Sequence, residues 1–266
     1  NNKLAQKLKK AGIPIIWYIA PQLWIWGEKR INNYRDLVDI MLTVFPFEEE
    51  YFNLRGIKSI FVGHPLMERD EFHTIPKIQN NNVISLFPGS RLQEVKKNLP
   101  IFSEVGNILK SELHDCSIVV SKSPYVDIVH YEKVKSMNFE LMENSYEVLQ
   151  NSKAAIIKTG TTTLEAALFG IPFVMAYKTS WLNYLIGKSK VKIETLALPN
   201  ILLNKKVISE FIQHAARPRL ISNALREIMK DSTRYNSIRH ELTWIRNVLG
   251  SKKASKESAE IIKSFL

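Results

Sequence analysis

Apolar residues along this chain fall in short runs separated by amphipathic stretches, so the spacing alternates between the strand and helix periods. Over the first 66 residues the pattern predicts helix 3–10, strand 15–19, helix 28–37, strand 40–45, helix 47–54 and strand 59–62. Such alternation implies an α/β fold with a parallel sheet covered by helices. Three strands are few for a doubly wound sheet, so the block is expected to be part of a domain whose other half lies upstream. Gly63-His64-Pro65 closes it, and the polar stretch 68–82, with Pro76 and the run Asn80-Asn81-Asn82, reads as an interdomain linker.

A second alternation follows. Strand 83–87 leads through Pro88-Gly89-Ser90-Arg91 into a helix reaching about residue 112. Strands 117–120, 138–141 and 154–157, helix 161–169 and strand 173–176 come next. Beyond Trp181 the chain is expected to be mainly helical, with amphipathic segments at 217–230 and 234–248 and a last helix at 254–265.

Composition narrows the partners. The 266 residues carry 37 Lys and Arg against 26 Asp and Glu, a net charge of +11 that favours phosphate-bearing or anionic-membrane partners. No zinc-finger, RNP or basic-zipper pattern organises those charges, so no nucleic-acid partner is expected. The single cysteine, Cys116, excludes an internal disulfide framework and any multi-thiolate metal site, and points to a reducing cytoplasmic compartment. The six histidines, His64, His73, His114, His130, His214 and His240, lack ligand spacing, and no metal is expected. No apolar run reaches the ~20 residues of a membrane-spanning helix, which leaves peripheral membrane contact. Residues 1–10 have no secretory pattern and read as the interior of a domain, so further residues are expected upstream.

The stretch from Lys158 to Pro172 places a small-residue turn, a helix start and one acid between two apolar runs. Hydroxyls at Thr161 and Thr162 can cap the helix, its N–H groups would face a diphosphate, and Glu165 one turn on can accept from ribose hydroxyls. The plain alternative is a strand-to-helix turn with a solvated Glu. Pro88-Gly89-Ser90-Arg91 also follows an apolar strand and precedes a helix; Gly89 lets backbone approach a ligand, and Arg91 offers a fixed positive fork to phosphate. Around Pro21, Trp17, Trp24 and Trp26 lie beside Lys29 and Arg30, a set that fits either core packing or contact with acyl chains and a phosphate. In Leu198-Pro199-Asn200 the amide either caps a turn or bonds a uracil or sugar group. No Ser-His-Asp or Cys-His arrangement stands out.

These segments taken in order resemble lipid-A-disaccharide synthases. The resemblance is carried by Pro21-Gln22-Leu23-Trp24-Ile25-Trp26 with Lys29-Arg30, by Phe45-Pro46-Phe47-Glu48 and by Val62-Gly63-His64-Pro65. It continues through Phe87-Pro88-Gly89-Ser90-Arg91 with Glu94, Gly160-Thr161 with Leu164-Glu165, and Leu198-Pro199-Asn200. It covers the chain from about residue 10 onward and matches the C-terminal two thirds of that family.

The resemblance implies a GT-B glycosyltransferase of two Rossmann-like domains with the active site between them, using no metal and no cofactor. It implies a partial acceptor-side domain at 1–70, a UDP-sugar-binding domain at 71–245 and a closing segment 246–266 crossing back to the first. The implied reaction moves 2,3-diacylglucosamine from UDP to the 6-hydroxyl of 2,3-diacylglucosamine 1-phosphate with inversion, in lipid A biosynthesis. It would occur at the anionic cytoplasmic face of the inner membrane, and a homodimer is allowed. By the same resemblance Arg91 is catalytic, near the reacting phosphate. Gly89, Ser90, Gly160, Thr161, Thr162, Glu165, Asn200 and Gln213 bind the nucleotide sugar, and Trp24, Trp26 and Arg30 face the acceptor and its acyl chains.

The sequence departs from the family pattern at Lys158-Thr159, where Ser is common, and at His214-Ala215, where acids are common. The family's glycine-rich first turn and its acidic base are expected upstream, so a protein limited to these residues is expected to be inactive or nearly so. Two other readings stand beside this one: another GT-B enzyme of UDP-N-acetylglucosamine, such as a 2-epimerase or the peptidoglycan transferase, and a non-catalytic UDP- or membrane-binding module.

Overall fold

The structure is a computed structural model that describes residues 2–77, 82–113, 115–180 and 194–265. His114 and Trp181 lie outside the described residues, as do Asn80 and Asn81. The chain divides into two compact units, which among the described residues are 2–73 with Glu194 and 246–265, and 74–180 with 195–245.

The first unit is built on a parallel sheet of β1 (Ile16–Tyr18), β2 (Ile40–Thr43) and β3 (Ser59–Phe61) in that order, with Trp17 opposite Met41 and Leu42 opposite Ile60. All four residues of β2 are buried, because helices cover both faces of a parallel sheet. Helix α1 (Asn2–Lys10) precedes β1, α2 (Ile31–Arg35) and α3 (Pro46–Asn53) join the strands, and Ile15, Leu23, Tyr34, Met41 and Phe52 make one core.

The second unit carries six parallel strands: β4 (Asn82–Phe87), β5 (Cys116–Ser121), β6 (Glu140–Met142), β7 (Ala154–Ile157), β8 (Phe173–Tyr177) and β9 (Glu210–Ile212). Their order is β6-β5-β4-β7-β8-β9. Renumbered within the unit this is 3-2-1-4-5-6, the doubly wound Rossmann order, whose winding reverses between β4 and β7. Ile84, Leu86, Ile156 and Ile157 are completely buried at that centre. Around the sheet lie α4 (Leu92–Glu112), α5 (Glu132–Ser136), α6 (Ser145–Gln150), α7 (Thr161–Leu168), α8 (Leu198–Leu202), α9 (Pro218–Lys230) and α10 (Ser232–Leu249); α11 (Ala254–Lys263) belongs to the first unit.

Four expectations change. The helix expected over 28–37 is a 3-10 turn, Glu28–Arg30, followed by the short α2, where Asn32 and Asn33 give little helical propensity. The expected linker holds 3-10 turns at Pro65–Glu68 and Asp70–Phe72, and Phe72 is buried with Arg246 Nη1 donating to its carbonyl at 2.5 Å. The mostly helical stretch after Trp181 includes strand β9, three residues too short to show a period. Between the strands expected at 138–141 and 154–157, where no helix was expected, lies α6, marked by Asn144, whose Oδ1 accepts from the N–H groups of Tyr146 and Glu147.

Candidate functional site

The crevice of a doubly wound sheet lies at the carboxyl ends of the strands where the winding reverses. Here those ends are Phe87 and Ile157, and the loops that leave them are Pro88–Arg91 and Lys158–Gly160. Gly89 sits at φ 127, and a Cβ there would fall 2.6 Å from Glu94 Cβ and Oε2, so a glycine is required on both counts. Gly160, at φ 143, caps α7, with Lys158 Nζ 4.0 Å from where its Cβ would be.

Glu94, in the first turn of α4, ties the first loop. Its Oε2 accepts from the N–H groups of Ser90 (3.1 Å) and Arg91 (3.4 Å), and its Oε1 lies 2.9 Å from Lys158 Nζ. Burial would push this carboxyl up, but Lys158 and the two backbone donors outweigh burial and hold it below the usual carboxylate range. Ser123, beyond the end of β5, donates from Oγ to Ser90 O at 2.9 Å and fixes the other wall.

A cleft of roughly 280 Å³ opens between these loops, lined by Gly89, Ser90, Gly160, Thr161, Thr162 and Glu165 among others. Six of the expected nucleotide-sugar residues are thus brought together. Tyr146 donates to Glu165 Oε1 at 3.5 Å and sets the carboxylate on the helix face. Sequence reasoning left out Lys122, Ser123, Glu143 and Lys158, which line the same cleft. Their signal is positional: they stand at or just beyond strand carboxyl ends, and that becomes visible only once the strand order is known.

The remaining expected residues lie elsewhere. The Arg91 side chain is 84% exposed, and it lines an adjoining depression with Lys96, Lys97 and Lys178. Asn200 is buried: its Oδ1 accepts from the N–H groups of Val207 (2.9 Å) and Ile208 (2.8 Å), and its Nδ2 reaches Ile208 O and Glu210 Oε1, both at 2.9 Å. The same Glu210 accepts from Thr195 Oγ1 and from the N–H groups of Leu196 and Ala197, so this amide and acid close the turn before β9. Gln213 exchanges hydrogen bonds with the Thr179 backbone, at 2.8 and 3.3 Å, and holds the end of β8.

In the first unit Trp24 and Trp26 separate. Trp24 is buried, its ring edge against Phe47, and its indole N–H donates to Glu48 Oε1 at 2.9 Å. Trp26 is 49% exposed beneath the Arg30 guanidinium, 4.8 Å from the ring centroid. Beside the carboxyl end of β1, Ile19 is exposed at φ 65, a left-handed conformation that β-branched residues avoid. Among the described residues no group of three or more His, Cys, Asp or Glu is placed to hold a metal ion.

The family model for lipid-A-disaccharide synthetase matches residues 1–265. The chain belongs to the lipid-A-disaccharide synthase family. The family's member from Sulfurihydrogenibium sp. (strain YO3AOP1) is 34% identical over all of this chain and 75% of its own length; that from Persephonella marina is 33% identical with the same coverage. Among solved structures, the Staphylococcus aureus MnaA co-structure with UDP matches 98% of this chain and 72% of its own, with a TM-score of 0.62 at 14% identity. MurG of Acinetobacter baumannii matches 98% and 69%, with a TM-score of 0.57 at 13% identity. These structures share the GT-B fold; the sequence relatives decide the family. As a member of that family the chain is a UDP-sugar glycosyltransferase of lipid A biosynthesis.

Proposed function

We propose that the second unit holds the UDP portion of UDP-2,3-diacylglucosamine in the cleft at the switch point. There the sugar leaves UDP for the 6-hydroxyl of 2,3-diacylglucosamine 1-phosphate. The observation that carries this reading is that Gly89-Ser90, Gly160-Thr161-Thr162 and Glu165 converge on one cleft at the carboxyl ends of β4 and β7. A diphosphate at the start of α7 meets backbone donors and the positive end of the helix dipole, and Glu165 stands one turn further on to accept from ribose.

As the glycosidic bond breaks, its electron pair moves to the diphosphate oxygen. Donors already aimed at that position stabilise the growing charge without reorganising. Arg91, 84% exposed on the adjoining side with its Nη1 3.8 Å from Glu94 Oε1, can swing to the outer phosphate. The first unit takes the lipid portion: Trp26, stacked under Arg30, pairs an apolar face with a cation, the combination that suits an acyl chain beside a phosphate. Working at an anionic cytoplasmic membrane surface fits the charge of +11. Among the described residues no helix is long and apolar enough to cross a membrane.

Displacement of a labelled UDP from this chain tests the reading. UDP-2,3-diacylglucosamine is expected to displace it better than UDP-N-acetylglucosamine. Equal displacement by both would favour an enzyme of the smaller sugar, and failure of both would remove the nucleotide site.

A further inference from the structure

The cleft at the switch point is rich in carboxylates for an anion site. Of the charged side chains that line it among the described residues, Glu94, Glu143 and Glu165 are acids and only Lys122 and Lys158 are bases. Lys122 is paired with Glu143 at 2.6 Å toward the outer rim, where Glu143 is 63% exposed. Lys158 is buried to a similar degree, its side chain 17% exposed against 14% for Lys122, but its ammonium stands beside Gly160 at the start of α7. A diphosphate brought here adds two or more negative charges to a lining already short of positive ones, and water screens that repulsion poorly inside the cleft.

We propose that Lys158 is a direct ligand of the nucleotide diphosphate, held by Glu94 until the phosphates arrive and then shared between them. This rests on the reading of the cleft as a UDP site. The geometry favours Lys158 over its neighbours. It leaves the end of β7 one residue before the Thr159-Gly160 turn, its ammonium stands at the helix start, and its partner Glu94 already binds the Ser90 and Arg91 N–H groups of the opposite loop. A phosphate between the two loops is therefore within reach of the ammonium after a small rotation about a flexible stem. Glu94 Oε1 also lies 3.8 Å from Arg91 Nη1, so one carboxylate oxygen faces a half-buried cation and an exposed cation on the two sides of the first loop.

The test is calorimetric titration of the chain and its K158M and K158R variants with UDP and with uridine, at low and moderate salt. K158M is expected to weaken UDP by about tenfold or more while uridine stays within about twofold, and the salt dependence of UDP binding is expected to flatten. K158R is expected to retain most of the affinity. UDP affinity unchanged in K158M, or equal losses for UDP and uridine, overturns the proposal while the UDP site stands. A parent chain that takes up no UDP overturns the site and this ligand with it.

Discussion

Glu94 and Lys158 close an ion pair of 2.9 Å across the point where the winding of the six-stranded sheet reverses, 64 residues apart in the chain. The pair joins the loops that leave β4 and β7, and the Glu94 carboxylate also caps α4 through the Ser90 and Arg91 N–H groups. E94A removes the cap and leaves a partly buried cation without its partner, and should lower stability by about 1–3 kcal/mol in urea unfolding. R91A, at a side chain 84% exposed, should stay within about 0.5 kcal/mol of the parent. A large loss in R91A would mean that Arg91 holds the loop.

Glu165 stands on the first turns of α7, held by Tyr146 and facing the cleft. E165A should weaken UDP binding by about 1–3 kcal/mol, the range for a lost bond to a charged group, with little change in melting temperature. Unchanged affinity would remove Glu165 from the ribose.

Asn200 is 1% exposed with every amide atom engaged. N200A leaves the Ile208 N–H and the Ile208 and Glu210 acceptors without the amide, while Val207 N–H keeps Lys205 O at 3.0 Å, and should cost about 1–3 kcal/mol of stability. Preserved stability with lost UDP affinity would instead place the amide at the ligand.

Glu48 and His64 make a matched pair of pH dependences around Phe45. The Glu48 carboxyl is raised to about 7 by burial, against the bonds from Trp24 and the backbone. Folded protein therefore keeps this proton where the unfolded chain has lost it, and stability falls as pH rises from about 4.5 to 7. His64, whose ring lies 5.2 Å from that of Phe45, is lowered to about 4 by burial. The unfolded chain takes that proton first, so stability falls as pH drops from about 6.5 to 4. Relative to the parent, E48Q should gain stability as pH rises through its window and H64N should gain as pH falls. Unfolding followed by tryptophan fluorescence across pH 4.5–7 checks this, and parallel slopes for the two variants would contradict it.

Much of this was legible in the chain because buried parallel strands are continuous apolar runs: Ala154–Ile157 is a strand over the residues its composition marks. The glycine loops were legible because Gly89 and Gly160 follow such runs. What was hidden depends on strand order. Nothing local to Lys158 tells that β7 lies beside β4 rather than β6, and only that neighbourhood brings its ammonium to Glu94. Asn200 read as a turn residue first and a ligand second, and the sequence could not decide, because the acceptors and donors that engage it come from residues 195–210, around a strand too short for a sequence period. The Trp cluster divided for a similar reason, since the partner that draws Trp24 inward is Glu48, 24 residues away.

Hydrogen exchange with and without UDP locates the nucleotide on the chain. Slowed exchange is expected at residues 89–91 and 160–163, the two loops at the switch point. Protection confined to other segments, or none at saturating UDP, would contradict a nucleotide site there.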